Sequence, residues 1–373
     1  MKYFICLYSL ILIAISSFNI QAQTKLKPGF IPEEFAQLLQ ATSQQGDSVT
    51  KTGIELSYPQ NCRMVYRSPE AGLSNRWDLW IRDDSVGIIS IRGTVNKPDS
   101  WSENFFAAMV SAKGSMTIDS DYVFIYKLSE KSKAGVHAGW LIGLAYLAPA
   151  IITKINEHYP FGIKEYLIIG HSQGGALAAL LYSYLHYLDG ERIPKDVKFK
   201  VYCSAPPKPG NLFFAYDFDF ISRGGWALRV FNTEDWVPQM PFSVQTFSDF
   251  SKDNPYNAKD SLMEKMTFIQ KIIFEYMLGR IKSNLDDASG LIQDYTGKDT
   301  YENVIRKYLP GFPKPDFMND SYFYPCGYPV VLTPQQGYGE FLKTEKDIPY
   351  LFIHHMPRAY YFLLEKIYFE KQR

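Results

Sequence analysis

The stretch Gly170-His171-Ser172-Gln173-Gly174 sets one serine between two glycines in a G-x-S-x-G spacing. It follows an apolar β-rich run (Leu167-Ile168-Ile169) and precedes a helix-forming run with small residues at Ala176, Ala178 and Ala179. A serine on a sharp strand-to-helix turn needs strained backbone angles and neighbours without bulk, so Gly170, His171 and Gly174 read as the elbow around a nucleophile. An ordinary Gly-rich turn would share the spacing, but it does not require this strand-and-helix context. The chemistry that suits Ser172 is acyl transfer, with the helix N-terminus behind it favouring the negative charge that develops.

A serine hydroxyl is a poor nucleophile unless a base takes its proton and an acid orients that base. In an elbow architecture the chain order is serine, acid, histidine, which sets aside His137, His158 and His171. His186 lies in the helix after the elbow, too near in sequence to loop back, so His354 and His355 remain. Among later acids, Asp235 follows a β-rich run ending near Phe231, where parallel sheets place their sites. Asp217 and Asp219 fall in the alternating segment Tyr216-Asp217-Phe218-Asp219-Phe220 and read as solvated charges. An oxyanion needs N–H donors about 3 Å away. Gln173 offers the first, and the turn Arg92-Gly93-Thr94 after another strand offers the second unless it is only a turn.

The elements that must position these groups alternate. Strands are expected over 77–82, 86–91, 165–169, 198–203 and 226–231, with helices over 139–152 and 174–188. This rhythm predicts an α/β fold with a mostly parallel sheet and helices on both faces. It stops over residues 242–322. There, residues 260–285 carry an apolar stripe at Leu262, Met266, Ile269, Ile273, Met277 and Ile281, which predicts an amphipathic helix packed as the core of an inserted cap that roofs the acyl pocket. A strand at 328–332 and a helix over 360–369 are expected to close the chain.

Together these pieces resemble the class 3 lipases, the fungal-type triacylglycerol lipase family of the α/β-hydrolases. The matching residues are Arg92-Gly93-Thr94, Val136-His137-Ala138-Gly139-Trp140, residues 170–176, Ala205-Pro206 with Gly210-Asn211, and Asp235-Trp236-Val237-Pro238, in the family's order. The resemblance implies an α/β-hydrolase fold with Ser172 as nucleophile, Asp235 as acid, and Thr94 with Gln173 as oxyanion hole. It selects His355 over His354, because His355-Met356-Pro357 fits the family's His-x-Pro pattern. It also implies a lid in the place of Trp101, Phe105, Phe106 and Met109, which fall at helical spacing. Gln173 stands where the family usually has Leu, a harmless change if only its backbone N–H is used.

The function implied is a serine ester hydrolase on acylglycerols or other lipid esters at a lipid–water interface, without metal or cofactor. The alternatives are a short-chain esterase or acyltransferase on the same fold, and a binding protein on a hydrolase scaffold. Zinc-type H-E-x-x-H and phosphate-loop patterns are absent from the sequence. Among the 373 residues, 39 basic and 39 acidic side chains leave zero net charge, so no basic field points to nucleic acid.

At the N-terminus, Met1-Lys2, an apolar run to Ile15 and Ala22 before Gln23 read as a signal peptide over 1–22, with an exported single domain over 23–373. The run is shorter than the ~20 apolar residues of a membrane span. In an oxidising compartment, Cys62 and Cys326 are the candidates for a disulfide, with Cys203 a buried thiol.

Overall fold

The computed structural model describes residues 24–45 and 56–370, apart from positions 189, 252, 255, 257–262 and 265. The proposed signal segment, and Leu262 of the expected stripe, lie outside the described residues. The chain runs through β1 (Cys62–Arg67), β2 (Trp77–Arg82), β3 (Gly87–Ile91), β4 (Met109–Ser111), β5 (Lys113–Thr117), β6 (Val123–Lys127) and β7 (Gly135–His137). It continues through β8 (Glu165–His171), β9 (Lys198–Ser204), β10 (Gly210–Asn211), β11 (Ala227–Asn232), β12 (Phe323–Tyr324) and β13 (Tyr328–Leu332). The helices used below are α1 (Pro32–Ser43), α2 (Pro98–Phe105), α3 (Ala138–His158), α4 (Gln173–Tyr187), α5 (Leu212–Ile221), α6 (Phe268–Gln293), α7 (Tyr338–Thr344) and α8 (Pro357–Leu364).

The central sheet has the order β1-β2-β3-β8-β9-β11-β13. From β3 to β13 every pairing is parallel, and β1 and β2 add antiparallel strands at one edge. A parallel strand covered on both faces must be apolar throughout rather than alternately, and β3 is buried along its whole length. Two hydrophobic cores result. One lies under α3 and α4; the other lies under α1 and α8 on the opposite face. This is the mostly parallel sheet with helices on both faces expected from the alternating strands and helices. A smaller sheet of order β12-β10-β7-β4 and the β5-β6 hairpin flank it. Helix α3 with its following turn is long and apolar enough to cross a membrane, but 72% of that window is buried inside the fold.

Several expectations change. Residues 216–220 alternate because α5 sets aromatic rings around its circumference, not because they form a strand. Asp217 is buried there and accepts from Tyr187 Oη at 2.6 Å, so it is not a solvated charge, whereas Asp219 is exposed and accepts from the Gly327 amide at 2.7 Å. Cys62 and Cys326 are free thiols. Cys62 sits in β1 at one edge of the sheet and Cys326 just before β13 at the other. Seven strands about 4.8 Å apart separate the edges by far more than the ~7 Å limit for a disulfide.

The expected lid is divided. Helix α2 ends at Phe105, Phe106 is fully buried, and Met109 opens β4. In the segment between β11 and β12, helix α6 spans Phe268–Gln293, and positions 260–262 and 265 of the expected helix lie outside the described residues. Its apolar stripe at Ile269, Ile273, Met277 and Ile281 faces solvent instead of a core.

Candidate active site

The parallel strands end together on one side of the sheet, and their exits carry the chemistry. Ile91 pairs with Gly170, and His171 with Ser204, so the loops after β3, β8 and β9 emerge side by side. Between β8 and α4 the backbone turns at Ser172 with φ 62° and ψ −132°, a strained conformation for a residue with a Cβ. The turn closes only without bulk beside it. A Cβ on Gly170 would stand 1.9 Å from the Gly174 carbonyl oxygen, and one on Gly174 would stand 2.5 Å from that of Ile91.

Asp235 and His355 meet. Asp235 follows β11 and is almost fully buried, and its Oδ2 accepts from His355 Nδ1 at 2.7 Å. The same oxygen accepts from Tyr360 Oη on α8, also at 2.7 Å, while Oδ1 accepts from the Val237 amide. Burial pushes the carboxyl up. The His355 and Tyr360 hydrogen bonds and the His355 charge outweigh it, holding Asp235 below the usual carboxylate range. The loop carrying His355 is tied to β11 by Asn232, whose Nδ2 donates to the His354 carbonyl at 3.0 Å and to Tyr338 Oη at 2.9 Å. His354 packs its ring on Tyr338 and supports the loop.

His171 links elbow and base. Its Nε2 donates to the His355 carbonyl at 2.6 Å, its Nδ1 accepts from Ser204 Oγ, and the two imidazole rings lie 4.9 Å apart. Burial and the neighbouring His355 lower the pKa of His171 to about 3, so it stays neutral and structural. Ser172 is half-buried beside this pair, and among the described residues no hydrogen bond joins Ser172 Oγ to His355 Nε2.

The loop after β3 packs directly on the elbow, where a Cβ on Gly93 would stand 2.6 Å from the His171 carbonyl oxygen and 3.4 Å from Ser172 Cβ. Thr94 is held from two sides. Its Oγ1 donates to Gln173 Oε1 and accepts from Asn104 Nδ2, both at 2.8 Å. Asn104 in turn accepts from Trp140 Nε1 through Oδ1 and from His137 Nε2 through its carbonyl. Behind Gln173 lies Glu103, fully buried, with Oε2 accepting from Asn75 Nδ2 at 2.6 Å. Burial raises this carboxyl to about 8 against the opposing Asn75 and Gln173 amides.

Residues 88–245 match the class 3 lipase family. The resemblance read from the motifs therefore holds. The matched lipase segment carries Thr94, Ser172, Gln173 and Asp235, whereas His355 lies 110 positions beyond its end. No curated protein matches the chain. Among solved structures, Rhizomucor miehei lipase in its propeptide complex is 18% identical with a TM-score of 0.41, the match covering 56% of this chain and 62% of that one. A Rhizomucor miehei triacylglyceride lipase is 16% identical (TM-score 0.41; 64% and 91% covered). A Penicillium expansum triacylglycerol lipase is 17% identical (TM-score 0.41; 57% and 75% covered). The chain thus spans less than two thirds of the length of the first of these.

Sequence reasoning did not find Tyr360, Asn232, Asn104 or Glu103. Tyr360 falls in an ordinary apolar helix pattern, and nothing in its spacing points its hydroxyl at Asp235. Glu103 looks like any surface acid of a short helix.

Proposed function

We propose that the chain is an exported serine ester hydrolase that cleaves lipid esters through an acyl-enzyme, with Ser172 as nucleophile, His355 as base and Asp235 as orienting acid. The observation that carries this reading is the 2.7 Å contact between His355 Nδ1 and Asp235 Oδ2, buried beside the strained elbow of Ser172. Asp235 fixes the proton on Nδ1, which leaves Nε2 as the lone-pair nitrogen that can accept from Ser172. Hydrogen bonds of this kind are often loose without substrate and tighten in the Michaelis complex.

In the forward step, Ser172 Oγ attacks the ester carbonyl carbon as its proton moves to His355 Nε2. The backbone N–H groups of Gln173 and Thr94 are the donors for the oxyanion. Collapse breaks the bond to the alcohol oxygen, which takes the proton from His355 Nε2 and leaves an acyl ester on Ser172. Water then adds by the same route and releases the carboxylic acid and free serine.

A lipid acyl group is favoured over a polar substrate by the rings around His355. Phe352 lies 6.3 Å from His355 and bridges Trp101 and Trp236 at 5.9 and 5.8 Å, while Phe105 stacks on Trp101. These rings supply an apolar wall at the mouth of the site. Export is supported by Lys2, the apolar run after it and the small residue before Gln23, and N-terminal sequencing of the secreted protein tests it.

The catalytic assignment is tested by labelling with a fluorophosphonate. The folded protein is expected to label and Ser172→Ala is not. Folded wild-type protein that stays unlabelled would overturn the enzyme reading.

A further inference from the structure

Helix α6 belongs to the segment that lies outside the lipase-family match, and the catalytic reading uses none of it. It is 26 residues long and therefore about 39 Å from end to end. Among the described residues, its C-terminal end is held by side-chain hydrogen bonds to the rest of the fold: Ser289 Oγ meets Ser321 Oγ at 2.8 Å and Gln293 donates to Asn319 at 3.1 Å. Phe274, Leu278 and Leu285, spaced for one helical face, are half-buried.

The opposite face of the N-terminal half is apolar and, among the described residues, exposed. Phe268, Ile272 and Tyr276 form one row at intervals of four, and Ile269, Ile273 and Met277 form the row beside it. All six are more than half exposed, from 51% at Ile272 to 77% at Phe268. Six large apolar side chains in adjoining rows exceed the scattered exposure normal for a soluble surface.

The charges around this stripe say what would cover it. Arg280 continues the row of Phe268, Ile272 and Tyr276, so a cation closes that row at the depth where an inserted helix would meet headgroups, while Lys282, about 200° farther round the helix, pairs with Asp286 at 2.6 Å. Between Phe268 and Lys282 the one acidic residue is Glu275, four residues from Lys271. Acids gather farther along, at Asp286, Asp287 and Asp294, toward the anchored end. An interface between two copies would need an acid within the patch to meet Arg280, because a two-fold contact is self-complementary. The two rows of the stripe hold no acid.

We propose that the Phe268–Met277 face of α6 is a docking surface for an anionic lipid–water interface, entering with its apolar rows while Arg280 meets the headgroups. This extends the lipid-ester reading, since it would hold the enzyme on the surface where such substrates reside. It does not depend on catalysis.

The test uses the full mature chain carrying Ser172→Ala, so that no lipid is consumed. It is sedimented with vesicles of phosphatidylcholine alone or mixed with phosphatidylglycerol. Binding to the mixed vesicles is expected, reduced at least about tenfold by Ile269→Asp with Ile273→Asp, while Arg280→Glu removes the preference for phosphatidylglycerol. The same α6 substitutions in an active background should leave hydrolysis of a soluble monomeric ester unchanged, which reports the fold. Absence of vesicle binding, equal binding by the double variant, or a wild-type dimer that the double variant dissolves without any vesicle binding would each overturn the proposal. Vesicle binding by α6 in a protein without Ser172-dependent hydrolysis would sink the enzyme reading and leave the docking surface standing.

Discussion

The hydroxyl of Thr94 donates to the side-chain oxygen of Gln173 at 2.8 Å, so the two residues proposed as oxyanion donors also hold each other through their side chains. The family's usual Leu at the Gln173 position could not accept this bond, and the substitution is therefore not neutral in this chain. With Thr94 Oγ1 engaged between Gln173 and Asn104, the loop after β3 is fixed before substrate arrives. Gln173→Leu keeps the backbone donor and loses this brace. We expect kcat for a soluble ester to fall roughly tenfold with KM little changed, less than the roughly 100- to 1000-fold of deleting a donor outright. An unchanged kcat in a folded variant would show that the brace has no part in catalysis.

Asp235 depends on Tyr360 as well as His355. Tyr360 Oη donates to Asp235 Oδ2 and accepts from the Asn232 amide at 3.1 Å, so Tyr360→Phe leaves a buried N–H without its partner and the acid with one donor fewer. The unpaired group costs on the order of 1–3 kcal/mol. Because the folded pKa of Asp235 lies below its unfolded value, its contribution to stability is present above the unfolded pKa and lost as pH falls through the folded one. Removing Tyr360 Oη raises that folded pKa, so the acid limb of a denaturation profile should move to higher pH. A profile that loses stability equally at every pH would assign Tyr360 a packing role alone.

The fold was legible because burial on both faces writes itself into composition: β3 and β8 carry apolar runs at Ile88-Ile89 and over residues 166–169, and Gly170 and Gly174 mark a turn that tolerates no Cβ. Asp235 and Ser172 could be proposed from their places after strands. Separating His355 from His354 needed the family pattern, since adjacent histidines in one loop look alike until a neighbour such as Asn232 takes the His354 carbonyl. What stayed hidden was orientation. The stripe at Ile269, Ile273 and Met277 has the period of a buried face, and period carries no information about whether anything packs against it. Likewise a single acid in a short polar helix, Glu103, gives no sign that its side chain turns inward.

Glu103 supplies a pH dependence of opposite sign to that of Asp235. Its carboxyl is fully buried behind Gln173, and burial raises its pKa from 4.5 to about 8. The native state therefore favours the protonated form. This contribution is complete below the unfolded pKa and is lost as pH rises toward about 8, with a slope of at most about 1.4 kcal/mol per pH unit for one proton. Glu103→Gln keeps an acceptor for Asn75 and cannot ionise. Its denaturant midpoint should change less than that of wild type between weakly acidic and weakly alkaline buffer. Parallel midpoints across that range would mean that Glu103 does not titrate in the folded protein as its burial implies.

The glycines around the elbow separate folding from catalysis. A Cβ at Gly170 would lie 1.9 Å from the Gly174 carbonyl oxygen, inside the turn itself, and neither atom can move without opening the strand-to-helix connection. Gly170→Ala should therefore cost more than about 3 kcal/mol of stability or prevent soluble expression. At Gly93 the contact is 2.6 Å to the His171 carbonyl oxygen, between two loops rather than within one turn. There the loop after β3 can yield, carrying the Thr94 amide away from Ser172. Gly93→Ala should then fold with a smaller loss of stability than Gly170→Ala, and its kcat should fall at least about tenfold through the displaced donor. Chemical denaturation and turnover of a soluble ester, measured on the same preparations, decide this. Full activity in a stable Gly93→Ala protein would show that the loop after β3 does not set the oxyanion geometry.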